Sequence, residues 1–180
     1  MLRLVLLRHS EAHPHAAGGD RERLLTANGR DMAVRMGQYC RAVPLVPDFA
    51  FVSPAQRTRE TFDFFAREIS PSKIESKNIS FDPALYNATS TTIKTLVMGA
   101  ASEKKVILVV GHNPGIAEAA IALSGSGDRA MLTEMRGHFP APALAVIDFQ
   151  IETWAEMTSG KGQLQRFVTK TLLVNSSELG

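Results

Sequence analysis

A chain of 180 residues, 44% hydrophobic and 21% charged, has the makeup of an ordinary globular protein with room for one sizeable core, expected as a single domain over residues 1–180. Twenty basic against 18 acidic residues leave a formal charge of +2, too balanced to point to nucleic acid. No stretch approaches the roughly 18 apolar residues of a membrane span, and the N-terminal apolar run falls short of the roughly seven that a secretory signal needs. A cytoplasmic protein without a membrane partner is therefore expected.

Leu2 and Leu4 to Leu7 form a short apolar run that stops at Arg8-His9-Ser10. Such a run suits a strand buried on both faces, as in a parallel sheet. Glu11 to Leu25 lacks apolar periodicity and reads as a surface loop. His13 and His15 within it have no cysteine or carboxylate at metal-ligand spacing, so no metal is expected. Thr26 is placed to cap a helix in which Met32, Met36, Tyr39 and Cys40 recur at helical spacing, closed by Pro44 and Pro47. Cys40, the single cysteine, can form no intrachain disulfide and reads as a buried structural thiol.

Phe49 to Val52 is a second buried strand, after which Ser53 is expected to cap a helix with Pro54 in its first turn. On that helix Arg57 and Thr61 share a face, while Phe62, Phe65 and Ile69 point inward. Pro71 to Asn78 reads as polar linker, Ile79 to Phe81 as a short strand and Thr89 to Ser102 as a helix. Val106 to Val110 is another fully apolar strand, broken off at Gly111-His112-Asn113-Pro114-Gly115. A helix over Ile116 to Leu123 is stopped by Gly125 to Gly127, and Met131 to His138 reads as a loop. Ala143 to Phe149 and Leu164 to Val168 are strands, joined by a helical turn at Trp154 to Met157 and a tight turn at Ser159 to Gly162. They form an antiparallel pair at the sheet edge. Strands alternating with helices give a three-layer α/β/α sandwich with a mostly parallel sheet and an antiparallel C-terminal edge.

Ligands of open α/β sheets bind beyond the carboxyl ends of the strands. Three such ends carry Arg8-His9, Ser53 with Arg57, and Gly111-His112. Set side by side, they bring two arginines and two histidines to one mouth. Phosphoryl chemistry asks for such a set. Guanidinium groups fork onto phosphate oxygens, and helix N-termini after Ser53 and His112 favour an anion. A histidine serves as covalent nucleophile if its attacking nitrogen is neutral, which flanking Arg8 and Arg57 favour for His9. His112, as a donor, holds a phosphate oxygen while charge shifts.

Arg8-His9-Ser10 after an apolar strand resembles the signature of the histidine phosphatase superfamily, which has the phosphoglycerate-mutase-like fold. Leu25-Thr26-Ala27-Asn28-Gly29 is similar to its Leu-Thr-x-x-Gly helix start. Ser53 to Thr61 matches its Ser-Pro-x-x-Arg-x-x-x-Thr element, and Gly111-His112-Asn113-Pro114 its second-histidine element. The ending, Trp154 through Val168, resembles the SixA-type phosphohistidine phosphatases. The resemblance implies that His9 is phosphorylated, that Arg8 and Arg57 bind phosphate with His112 completing the pocket, and that no cofactor takes part. The third signature position, usually glycine, is Ser10, small enough for phosphate to approach and able to donate through its hydroxyl.

Mutases and many phosphomonoesterases of that superfamily carry long insertions that roof the site and supply an acidic proton donor. Between Thr61 and Val106 this chain has room for little beyond one strand and one helix. Glu11, Asp20 and Tyr86 are the candidates for a proton donor. An alkoxide leaving group needs that proton, an effect worth about 10² to 10⁴-fold, whereas imidazole leaving from phosphohistidine takes one from solvent. The expected activity is therefore removal of phosphate from phosphohistidine on a signalling or phosphotransfer protein. The alternatives are a phosphomonoesterase for a small sugar phosphate or nucleotide, and a non-catalytic module that binds phosphate or a phosphoprotein.

Overall fold

The strands in chain order are β1 (Leu2–Arg8), β2 (Phe49–Val52), β3 (Ile79–Phe81), β4 (Val106–Gly111), β5 (Ser124–Gly127), β6 (Ala143–Phe149) and β7 (Gly162–Thr169). The helices are α1 (Ala27–Ala42), α2 (Gln56–Ile69), α3 (Ser90–Met98), α4 (Gly115–Leu123), α5 (Arg129–Gly137) and α6 (Lys170–Ser177). They belong to a computed structural model that describes residues 1–43, 45–69 and 74–177. All seven strands join one sheet in the order β3-β2-β4-β1-β6-β7-β5, with β6 alone running against the rest.

The apolar runs behave as their composition requires. β1 and β4 lie at the centre and are covered on both faces, so successive residues enter opposite cores. Leu2, Leu4 and Leu6 face a core with Ile93, Val97, Ile116, Ala120 and Trp154, under α3 and α4. Val5 and Leu7 face the other, with Met36, Cys40, Phe62, Phe65 and Leu173, under α1, α2 and α6. The result is the expected three-layer sandwich, mostly parallel, with β1-β6-β7 as its antiparallel part. Cys40 is buried, and burial pushes its thiol up to about 12, as suits a packing residue.

Several local expectations change. Ser53 does not cap α2, which begins at Gln56. Its hydroxyl is engaged elsewhere, as described below. The third helix stops at Met98 rather than Ser102: Gly99 is its C-cap, and the next N–H, that of Ala100, turns back to the Val97 carbonyl in a tighter i→i−3 bond. Ser124 to Gly127 does more than end α4: it forms the outermost strand, beside the antiparallel pair and parallel to β7. Met131 to His138 is no loop: Met131 to Gly137 makes up most of α5, capped by the Asp128 side chain on the Met131 N–H and anchored by buried Met135. Within Glu11 to Leu25, Asp20–Glu22 forms a short 3-10 turn and Ala12 pairs with Leu25. Pro44 and residues 71–73 of the expected linker lie outside the described residues.

Candidate functional site

Because β1, β2 and β4 are parallel neighbours, Arg8, Val52 and Gly111 end at one edge of the sheet. Beyond that edge lies a cleft of about 680 Å³, lined by Arg8, His9, Glu11, Asp20, Arg23, Arg57, Tyr86 and His112 among others. The four residues singled out from the strand ends therefore do meet.

His9 is held at both ends. Its backbone N–H donates to the Gly111 carbonyl at 3.0 Å, tying the ends of β1 and β4 together. Its Nδ1 lies 2.7 Å from the Ser10 carbonyl, which can only accept. Nδ1 therefore carries the proton, and Nε2 keeps its lone pair. Burial is the main cause that holds His9 down at about 3, with His112, Arg57 and Arg8 adding positive surroundings. The flanking arginines act in the expected direction but are not the leading cause.

Ser10 works through its backbone. Its N–H donates to Thr61 Oγ1 at 2.9 Å, and that hydroxyl donates to the Arg57 carbonyl at 2.6 Å. The chain at the nucleophile is thus tied to α2 by the residue sharing a face with Arg57. The Ser10 side chain is fully buried and absent from the cleft wall, with its hydroxyl unpartnered among the described residues. The expected hydroxyl donation to phosphate has no support in this placement.

Arg57, 3% exposed, donates from Nη1 to the Asp20 carbonyl at 2.7 Å and from Nη2 to Asp20 Oδ2 at 3.0 Å. Arg8 donates from Nη1 to the Phe139 carbonyl at 2.7 Å, in the segment leading into β6. His112 is buried, and its Nε2 lies 2.7 Å from the Ser53 hydroxyl. Desolvation, helped by Arg57, holds His112 down at about 4. Three buried nitrogens around this mouth have no partner among the described residues: Arg8 Nε, Arg57 Nε and His112 Nδ1. Buried donors are ordinarily paired. A fixed set of unpartnered donors beside a cleft is suited to an anion with several oxygens.

The three proton-donor candidates all border the cleft, and each is engaged. Hydrogen bonds from the Thr26 hydroxyl and the Asn28 amide hold the Glu11 carboxyl below its usual range. The Tyr86 hydroxyl, with Arg23 and Arg57, holds Asp20 well below the usual carboxylate range. Tyr86 directs its own proton to Asp20 Oδ2 at 2.6 Å. Both carboxyl groups are therefore acceptors at neutral pH. His13 and His15 are exposed on the loop.

Arg23 and the Phe139 carbonyl were not anticipated. Arg23 pairs with Asp20 at 2.9 Å and lines the cleft, and its i,i+3 spacing from Asp20 was the available signal. The Phe139 carbonyl receives both Arg8 and the Asn113 amide, and backbone acceptors leave no trace in residue type.

Residues 4–85 match the model of the histidine phosphatase superfamily (branch 1). An uncharacterized chloroplastic protein of Arabidopsis thaliana is 27% identical over 132 residues, 69% of this chain, and the chain spans 60% of that relative's length. The structure is similar to that of a protein designated phosphohistidine phosphatase SixA from Nakamurella multipartitia, at TM-score 0.78 and 27% identity over 93% of this chain and 95% of that one. It is also similar to a protein so designated from Agrobacterium tumefaciens, at TM-score 0.76 and 27% identity over 93% and 97%.

Proposed function

We propose that this chain is a histidine-type phosphatase of the histidine phosphatase superfamily and that it removes the phosphoryl group from phosphohistidine borne on a signalling or phosphotransfer protein. One observation carries the mechanism: His9 Nδ1 is spent on the Ser10 carbonyl, which leaves a neutral Nε2 beside the unpartnered donors of Arg8, Arg57 and His112. In the first step Nε2 attacks phosphorus and a P–N bond to His9 forms. The bond to the substrate imidazole breaks, and its electron pair stays on the departing nitrogen, which takes a proton from water. In the second step water attacks the phosphoryl-His9, inorganic phosphate leaves, and neutral His9 is restored. Two easier transfers replace one hard one. The two guanidinium groups and His112 face the oxygens on which charge builds.

The substrate class rests on the state of the acids. Glu11 and Asp20 are held as carboxylates, so neither offers a proton to an alkoxide. An imidazole leaving group makes no such demand. The segment between β3 and β4 holds only a short 3-10 turn and α3, a modest wall beside the cleft that leaves space for a side chain presented on another protein. The likeness to two proteins designated phosphohistidine phosphatases supports the same class.

The test is a side-by-side turnover assay without added metal, with His9→Ala as control. A phosphohistidine-bearing protein domain should lose its phosphate quickly, and a panel of small phosphate esters should be cleaved slowly. Fast ester cleavage would replace this reading with that of a metabolic phosphomonoesterase. Binding of phosphate with turnover of neither substrate would leave a binding module.

A further inference from the structure

Ser53 ends the hydrogen-bonded part of β2, its N–H donating to the Val110 carbonyl at 3.0 Å. Since α2 starts only at Gln56, the hydroxyl has no helix to cap. It is fully buried, and its partner among the described residues is His112 Nε2 at 2.7 Å. Two proton arrangements fit that distance. If Nε2–H donated to the hydroxyl, the Ser53 proton would have no acceptor in a buried site, and His112 Nδ1 would be a bare lone pair without a donor. If the hydroxyl donates to Nε2, the Ser53 proton is used, and the unpartnered group is a single Nδ1–H. The second arrangement leaves fewer buried polar groups unsatisfied.

We infer that Ser53 donates its hydroxyl proton to His112 Nε2 and so fixes the Nδ1–H tautomer of His112, making buried Nδ1 the donor offered to a phosphoryl oxygen. Ser53 is thus a positioning residue acting through His112. The functional half of the inference rests on the phosphatase reading above; the tautomer itself does not. Burial beside Arg57 holds His112 at about 4, so its imidazole is neutral under working conditions and owns one N–H. A neutral histidine can donate to phosphate from one nitrogen only, so the choice of tautomer decides whether it donates at all. The ring is also held in place, with His9 edge-on at 5.2 Å and Tyr86 at 5.7 Å between centroids.

The experiment is long-range ¹H–¹⁵N correlation on histidine-labelled protein near pH 7, with His112 assigned by its loss in His112→Gln. The expected spectrum shows His112 Nδ1 protonated and Nε2 bare. The opposite tautomer, or an even mixture, would overturn the inference. In Ser53→Ala the tautomer populations should redistribute, and turnover should fall on the order of tenfold to a hundredfold, short of the 10²–10³ for losing an oxyanion donor outright. Ser53→Thr, which keeps the hydroxyl, should restore the wild-type tautomer and recover rate over Ser53→Ala. An Ala variant with the tautomer unchanged would remove Ser53 from the role. Should Ser53→Ala fail to fold, the wild-type spectrum still decides. That spectrum is read without substrate, so it stands or falls separately from the turnover assay.

Discussion

His9 has one nitrogen spent on the Ser10 carbonyl and one kept for chemistry, and that division decides what its replacement does. His9→Ala should abolish turnover and leave no acid-labile phosphoryl group on the chain after rapid quench with labelled substrate. Near-normal rates from that variant would sink the covalent mechanism. Arg57 holds two Asp20 oxygens with its two terminal nitrogens while its Nε remains open. Only a guanidinium can face both ways at once. Arg57→Lys keeps the charge but loses the fork, and kcat/KM should fall by about 10²-fold or more. A loss under tenfold would mean that charge alone suffices. At this scale much of the site was legible. Arg8, His9 and His112 end apolar runs, and Arg57 lies one turn from Thr61, so local pattern located all four. Asp20 and Tyr86 were named, but as acids. Their true engagement depends on contacts spanning 37 and 66 positions, which no local pattern carries.

The start of α1 shows how an element reaches the site. A Cβ on Gly29 would lie 2.0 Å from the Glu11 carbonyl oxygen, so the helix can pass this close to the strand end only with glycine there. Thr26 caps the helix by accepting from the Gly29 N–H, and its own hydroxyl reaches Glu11 at 2.6 Å. Gly29→Ala must push back the backbone two residues after His9. It should cost on the order of 2–3 kcal/mol, within the range for overpacking, seen as a lower urea midpoint at unchanged slope. Turnover should drop as well, because Glu11 follows Ser10, whose carbonyl orients the nucleophile. Wild-type stability would show that this approach is loose. The elements missed from sequence have a shared cause. β5 is Ser-Gly-Ser-Gly, with no side chains to alternate, and it is a strand only because β7 pairs with it. In α5 a short apolar set, Met131, Leu132 and Met135, sits among charges, and the Asp128 cap adds the decisive signal. Strands buried on both faces were legible because both cores require the same apolar composition.

For the whole molecule, a neutral histidine pair, His112 buried and His9 part-buried, has consequences for folding as well as catalysis. An unfolded histidine titrates near 6.5, whereas the folded chain holds His9 at about 3 and His112 at about 4. Between those values the unfolded chain binds protons that the folded chain refuses. The folded state thus has its full stability above about pH 6.5 and loses it as pH falls toward 4. Each histidine contributes at most about 1.4 kcal/mol per pH unit across that window, or roughly 2 kcal/mol between pH 7 and pH 5. The same burial that keeps Nε2 nucleophilic thus opposes folding in acid, and the two apolar cores on either face of the sheet must carry that cost. The comparison that isolates the effect is urea denaturation at pH 7 and pH 5 of wild type against a His9→Asn, His112→Asn double variant. Carboxylates elsewhere titrate alike in both proteins and cancel. Wild type should lose more stability than the variant on going to pH 5, by up to about 4 kcal/mol if both sites act in full. Saturating inorganic phosphate should stabilise wild type at pH 7 by mass action through the open donors. Parallel losses in the two proteins would mean that His9 and His112 protonate freely in the folded state. Neither would then be the neutral group on which the nucleophile and the donor depend.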